Sequence, residues 1–194
     1  MAEVIGLSGF AGCGKDYIYL NHLKPQGFFQ VSLAWHFKAD LIGKGALTFE
    51  EAFQTKPPKV RTMLQMVGTE LGRVVYGDKV WCNILKAWME IYEYHWGVSR
   101  FCVPDVRFWS EMDFIQNDLK GYVLRIKAPH RSGCTTLDAT QRAHPSEAEM
   151  LEMDDHVFDG LVFNDEGDPA IDLQLHEIFQ GFGYEYKAVS EVHS

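Results

Sequence analysis

The sequence predicts an α/β fold: one central, mainly parallel β-sheet covered by helices on both faces. Three observations point there. Short apolar runs alternate with stretches of helical periodicity along almost the whole chain, the pattern of parallel strands joined by crossover helices. The first apolar run, Val4 to Ser8, leads directly into Gly9-Phe10-Ala11-Gly12-Cys13-Gly14-Lys15, a G-x-x-x-x-G-K loop, and then into a helical pattern. The length, 194 residues with 46% hydrophobic and 23% charged, suits a single domain with a sizeable core and is short for two.

Each element follows from local pattern. Val4 to Ser8 reads as a short buried strand, and Lys15 to about Leu23 as the helix after the loop. Lys24-Pro25-Gln26-Gly27 punctuates the end of that helix. Phe28 to Ser32 is a second strand, followed by a helical stretch from Leu33 to about Leu41. Residues 43–58 contain Gly43, Gly45 and the pair Pro57-Pro58, which predicts loop around at most a short helix.

Val60 to Val75 carries Val60, Met63, Leu64, Met66, Val67 and Leu71 at helical spacing. Val80 to about Tyr94 is a second long helix, with Trp81, Ile84, Leu85, Trp88 and Ile91 on its buried side. Phe101-Cys102-Val103 is a buried strand ending in Pro104-Asp105-Val106-Arg107, and Trp109 to Leu119 is helical. Gly121 to Ile126 is the next strand. Pro129 to Pro145 lacks periodicity and is expected to be mobile. Leu161 to Asn164 and Ala170 to Phe179 supply the last strand and helix, and no internal repeat or low-complexity tract interrupts the series.

A formal net charge of -9 argues against a long nucleic acid as partner, since a polyanion is repelled unless cations cluster on one face. A small phosphorylated ligand needs only a few focused cations. No window approaches the roughly 18 consecutive apolar residues of a spanning helix, so no membrane partner is expected. The start, Met-Ala-Glu-Val-Ile-Gly-Leu, has no basic region before a long apolar stretch, so no signal peptide is expected. Cys13, Cys82, Cys102 and Cys134 lack C-x-x-C spacing, which disfavours zinc and a redox dithiol. Cys82 and Cys102 read as core residues. Cys13 lies near a helix N-terminus that would favour a thiolate, although the position also simply asks for a small residue. Reduced thiols and a cytoplasmic setting are expected.

The glycines of the loop let successive backbone N–H groups point inward at phosphate oxygens, and the helix that follows adds positive potential. Lys15 supplies a cation for β- and γ-phosphates. The Ser or Thr that usually follows the lysine is replaced by Asp16. A carboxylate there can reach a magnesium ion directly or through water, or serve as a favourable acid in the first helical turn. Asp105 should emerge at the carboxyl end of the sheet, where open α/β sheets bind ligands, with Arg107 two residues on. That pair suits metal-bound phosphate chemistry; a turn or cap aspartate is the alternative. Arg61 and Arg73 lie on the stretch 60–75 and, taken alone, read as solvated helix charges. Arg131 and Arg142 fall in the mobile segment, where phosphoryl-transfer enzymes keep arginines that close over the transferring group. His144-Pro145-Ser146-Glu147 begins a helix, with Ser146 as its cap.

Together these motifs resemble those of phage-type deoxynucleoside monophosphate kinases, a branch of the P-loop kinases. The resemblance runs from about Val4 to Phe179 in five blocks: Gly6-Leu7-Ser8-Gly9 through Gly14-Lys15-Asp16; Val31-Ser32-Leu33-Ala34 with Phe37-Lys38; Gly68-Thr69-Glu70-Leu71-Gly72-Arg73; Asp105-Val106-Arg107-Phe108 with Glu111; and His144-Pro145-Ser146-Glu147 followed by Asn164-Asp165. A loop reading G-K-D is itself similar to this branch. Tyr17 stands where the family often has threonine, and Trp109-Ser110-Glu111 keeps only the glutamate of the family's Pro-Asn-Glu.

The resemblance implies a three-layer α/β/α P-loop kinase fold with a helical acceptor-binding region at about 33–95 and a short lid at about 128–146. It implies ATP and Mg²⁺ as cofactors and a deoxynucleoside monophosphate as acceptor. Gly9, Ala11, Gly12, Cys13, Gly14, Lys15, Asp16 and Tyr17 would meet the ATP phosphates, with Asp16 and Asp105 near the metal. Lys38, Arg61, Thr69, Arg73, Trp81, Asp105, Arg107 and Glu111 would surround the acceptor, and Arg131 and Arg142 would belong to the lid. Lys15, Asp16, Asp105, Arg107 and Arg131 are the implied catalytic set. The setting would be the cytoplasm, of an infected host if the chain is phage-encoded, and a homodimer is the candidate assembly. Other small-molecule kinases on the same scaffold, of dephospho-coenzyme A kinase or nucleoside kinase type, remain open, as does a nucleotide-binding switch that transfers nothing. The preferred base is not legible: Trp35, Phe37 and Trp81 suit a stacked base and a core equally.

Overall fold

The computed structural model describes residues 2–130, 145–165 and 168–187 of the chain. Five strands, β1 (Glu3–Ser8), β2 (Phe29–Gln30), β3 (Arg100–Val106), β4 (Tyr122–Lys127) and β5 (Gly160–Phe163), form one sheet in the order β2-β3-β1-β4-β5. Every neighbouring pair is parallel. Successive side chains of a strand point to opposite faces, so the apolar runs feed two cores. Val4, Phe101, Val103 and Val123 pack on one face, while Ile5, Leu7, Cys102, Leu124 and Ile126 pack on the other.

Helices close both faces. α1 (Lys15–Ile18) continues with wider i→i+5 hydrogen bonding over Tyr19–Leu23. The chain between β2 and β3 is helical: α2 (Trp35–Gly43), the short α3 (Glu50–Thr55), α4 (Pro58–Met66, continued through Val67–Arg73 and Val74–Tyr76) and α5 (Val80–Trp96). α6 (Trp109–Asp113, continued by Phe114–Asp118) follows β3, α7 (Pro145–Glu152) precedes β5, and α8 (Asp168–Phe182) follows it. Trp81, Leu85 and Met89 of α5 with Phe114 and Ile115 of α6 cover the first face. Ile18 and Leu23 of α1 with Ile171, Leu175 and Phe179 of α8 cover the second. The expected three-layer α/β/α architecture is the one found.

Several boundaries differ from the sequence reading, each for a physical reason. β3 runs through Pro104 to Val106 instead of stopping at Val103. Between the pairs Gly6↔Val103 and Ser8↔Val106 it carries one more residue than β1, a bulge that accommodates a proline with no N–H to give the ladder. α4 begins at Pro58, where a fixed φ suits the first helical position. α7 likewise begins at Pro145, which puts Ser146 inside the helix and not at its cap. The buried stripe of α5 is Trp81, Cys82, Leu85 and Met89; Trp88 and Ile91, expected inside, are exposed. Arg131, Cys134, Arg142 and His144, and most of the proposed lid, lie outside the described residues. No helix among the described residues is long and apolar enough to cross a membrane.

Candidate active site

All five strands end on the same edge of the sheet, and the glycine-rich loop leaves the central strand β1 at that edge, between β3 and β4. Gly9, Gly12 and Gly14 have φ of 145°, 82° and 94°, conformations that side-chain-bearing residues rarely adopt. Gly9 and Gly14 also lack room. A Cβ on Gly9 would sit 2.5 Å from the Ile126 carbonyl oxygen, and one on Gly14 would sit 2.1 Å from Asn164 Nδ2. Lys15 Nζ turns back over the loop and donates to the carbonyls of Gly9 (2.5 Å) and Phe10 (3.1 Å). It lies 3.7 Å from Cys13 Sγ, which is buried in the second core. Small size explains that cysteine. Ala11 is half-buried, and Asp16 and Tyr17 are exposed in the first turn of α1.

Asp105 lies within the β3 bulge and holds the start of the helical region. Its Oδ2 accepts from Ser32 Oγ (2.7 Å) and Ala34 N (3.1 Å), and its Oδ1 from Leu33 N (3.2 Å). These bonds fix the turn that leads into α2, three residues before Phe37 and Lys38. The Lys38 ammonium lies 4.7 Å from the centre of the Phe53 ring. Burial, then repulsion from Lys56, lowers its pKa to about 8; Asp105 and Asp16 pull it back and Arg107 pushes it further down. Lys56, Arg107 and the two acids are thus all near enough to act on the charge of Lys38. Lys56, just before Pro57, has φ 43° and ψ 60°, a left-handed conformation that is costly for a residue with a side chain and unusual before proline.

Arg73 and Glu111, expected at the acceptor, form a buried ion pair with each other. Arg73 also donates to the Asp78 carbonyl (2.9 Å) and Ser110 Oγ (3.0 Å), with its guanidinium 4.0 Å from the centre of the Phe108 ring. It is therefore not the solvated helix charge of the sequence reading. Glu111 accepts in addition from the backbone N–H groups of Arg107 (2.7 Å) and Phe108 (3.1 Å). Burial pushes its carboxyl up to about 7 against the pull of Arg73 and those donors. The pair clamps α4 to the start of α6 and so sets the backbone from which Arg107 projects. Trp81 packs on Phe37 (ring centres 5.0 Å apart), donates from Nε1 to the Gly68 carbonyl (2.6 Å) and covers Gly72. Thr69 and Arg61 are half-buried on α4, with no side-chain hydrogen bond among the described residues.

Three residues near this edge were not singled out by sequence reasoning. Lys56 had no local signal beyond the prolines after it. Asn164, part of the resemblance but without a role there, is fully buried and donates from Nδ2 to the Cys13 carbonyl (3.0 Å). Arg125 on β4 is buried beneath the edge, donating to the Met153 and Met150 carbonyls at the end of α7 and lying 3.5 Å from Asp155. No group of three or more His, Cys, Asp or Glu side chains that would hold a metal is found among the described residues. Both oxygens of Asp105 are occupied by the 32–34 turn, whereas Asp16 is exposed beside Lys15. The described residues therefore offer no all-protein metal cage, and Asp16 is the carboxylate beside the loop left open to an ion that arrives with a ligand.

The fold and this edge define an α/β protein whose G-x-x-x-x-G-K loop leaves the central strand of a parallel sheet. No protein-family model matches the chain, and no curated protein sequence is significantly similar to it. Among solved structures it is similar to TT1252 from Thermus thermophilus, with a TM-score of 0.56 and 15% identity over 93% of this chain and 97% of that one. A dephospho-CoA kinase from Campylobacter jejuni is also similar, with a TM-score of 0.49 and 15% identity over 94% of this chain and 98% of that one. At such identity the likeness to TT1252 shows a shared fold.

Proposed function

We propose that the chain is an ATP-dependent kinase that transfers the γ-phosphoryl group of ATP to the 5′-phosphate of a deoxynucleoside monophosphate. The observation that carries this reading is the character of the acceptor side. Lys38, Lys56 and Arg107 lie on that side, while Asp105, the acid at the end of β3, has both oxygens bound to Ser32, Leu33 and Ala34. Cations favour an acceptor that is already anionic, and a carboxylate so engaged is poorly placed to take a proton from a hydroxyl.

In the proposed reaction an acceptor phosphate oxygen attacks the γ-phosphorus, the bond from that phosphorus to the β–γ bridging oxygen breaks, and ADP leaves. No proton moves, because the attacking oxygen is anionic near neutral pH. Lys15 and the inward-facing loop N–H groups hold the donor phosphates, and the cationic cluster holds the acceptor in line and offsets its charge. When bound at Asp16, Mg²⁺ supplies further charge neutralisation on the donor phosphates. Arg131, if the lid closes as the resemblance implies, adds a cation late in the reaction.

The test is a coupled assay of ADP formation with dTMP, dGMP, dCMP, dUMP and dAMP, with ribonucleotides, deoxynucleosides and dephospho-CoA as rivals. Phosphorylation of at least one monophosphate is expected. Asp105→Asn should lower that turnover less than about 100-fold, because a positioning contact is lost and not a general base, which is worth about 10²–10⁴. Turnover with a hydroxyl acceptor alone, abolished by Asp105→Asn, would refute the reading in favour of a hydroxyl kinase. ATP hydrolysis with no acceptor would favour the switch.

A further inference from the structure

We propose that Asn164 is a positioning residue of the phosphate loop, its side-chain amide holding the Cys13 carbonyl and thereby the orientation of the Cys13–Gly14 peptide. The inference rests on reading the loop as the ATP site, and three features of Asn164 carry it. Its backbone N–H donates to the Lys127 carbonyl (2.8 Å), continuing the β4–β5 ladder by one bond, so the residue is anchored to the rigid edge of the sheet. Its Nδ2 donates to the Cys13 carbonyl at 3.0 Å and occupies the space a side chain at residue 14 would need. Its Oδ1 is buried and has no hydrogen-bond partner among the described residues.

The last feature separates positioning from simple packing. A buried amide satisfied at one end costs free energy that an apolar residue of similar size would not. Such a residue is explained by what the satisfied end does, and that end grips the loop. Turning the Cys13–Gly14 peptide over would swing a carbonyl oxygen towards the phosphates and an N–H away, converting attraction into repulsion in a loop whose function is to present N–H groups. Asn164 opposes that rotation from the last strand, far away in sequence. Gly9, pressed against the Ile126 carbonyl of β4, anchors the other end of the loop.

The experiment compares ATP affinity and thermal melting of the wild type with Asn164→Ala and the near-isosteric Asn164→Asp. Asn164→Ala loses one hydrogen bond to the loop, so its Kd for ATP should rise about 10-fold, while its unliganded Tm stays within about 2 °C. Asn164→Asp keeps the volume but replaces the donor with an anion beside the loop, so its Kd should rise further. A role in packing alone predicts the opposite order: a lower Tm for the alanine variant and near-normal affinity for the aspartate variant. That order, or a Kd within twofold of the wild type in both variants, overturns the proposal. Lys15→Ala serves as the control. A wild type that binds ATP no better than Lys15→Ala overturns the ATP-site reading and this proposal with it; normal binding that is indifferent to residue 164 overturns this proposal alone.

Discussion

Replacing Gly72 by alanine sets two physical effects against each other, and the structure decides the sign. Gly72 lies inside the wide-turn part of α4, where glycine costs a helix about 0.5–1 kcal/mol relative to alanine. Helix propensity alone therefore makes Gly72→Ala stabilising by about that amount. But a Cβ at residue 72 would sit 2.2 Å from Cζ2 and 2.7 Å from Cε2 of Trp81, the rigid part of an indole. Trp81 cannot simply swing away, because it is buried against Phe37 and tied through Nε1 to the Gly68 carbonyl. Overpacking a core by one methyl costs about 1–3 kcal/mol, and losing that hydrogen bond about 0.5–1.5 kcal/mol. After the propensity gain, a net loss of about 0.5–4 kcal/mol remains, equivalent to about 1–16 °C in Tm for a chain of this size. Urea unfolding and thermal melting both measure it. Trp81→Phe, which shortens the ring system over residue 72, should make the second substitution cheaper, giving a coupling of about 1 kcal/mol or more in a double-mutant cycle. An unchanged or raised Tm for Gly72→Ala would refute the reasoning and imply that α4 and α5 are not packed as described.

Two pH dependences follow from the site. Under the proposed function Lys38, with its pKa lowered to about 8 by burial and by Lys56, would hold the anionic acceptor while protonated, so the acceptor KM should be low at pH 7 and rise as pH passes 8. Lys56→Gln removes a repelling charge; it should raise KM overall and move that alkaline rise to higher pH, and a KM independent of pH, or a limb that moves down, would exclude this role for Lys38. Glu111 is raised from 4.5 to about 7 chiefly by burial, so the folded state holds its proton to higher pH than the unfolded chain does. Its contribution to stability is full below about pH 4.5 and is lost as pH rises through about 7. Urea midpoints should carry this downward leg in the wild type and lack it in Glu111→Gln; equal slopes in the two proteins would count against the raised pKa.

The parts of this molecule that were legible in its sequence are those whose physics is local. The phosphate loop is seven consecutive residues between a strand and a helix, and its glycines stand where the backbone needs positive φ. The central strands announced themselves as apolar runs because a parallel sheet buries both faces of each strand. Boundaries that a proline controls, at Pro58, Pro104 and Pro145, moved by a few residues, since whether a proline starts a helix or sits in a bulge depends on what lies beside it.

What the sequence could not reveal is which distant residues meet. Arg73 and Glu111 were both legible as charges near an acceptor, but only the packing of α4 against α6 turned them into each other's partner. Asp105 was legible as an acid at the sheet edge; only the return of the 32–34 turn to that edge filled its oxygens. Neither Lys56 nor Asn164 could be given a role from the sequence, because one depends on a turn in left-handed conformation and the other on the end of the last strand reaching the first loop. By itself the sequence determined the α/β class and the loop that can cradle phosphate, properties written in short-range chemistry. The tertiary structure alone decided which of the charges near that edge hold the fold together, because those pairings depend on contacts between residues far apart along the chain.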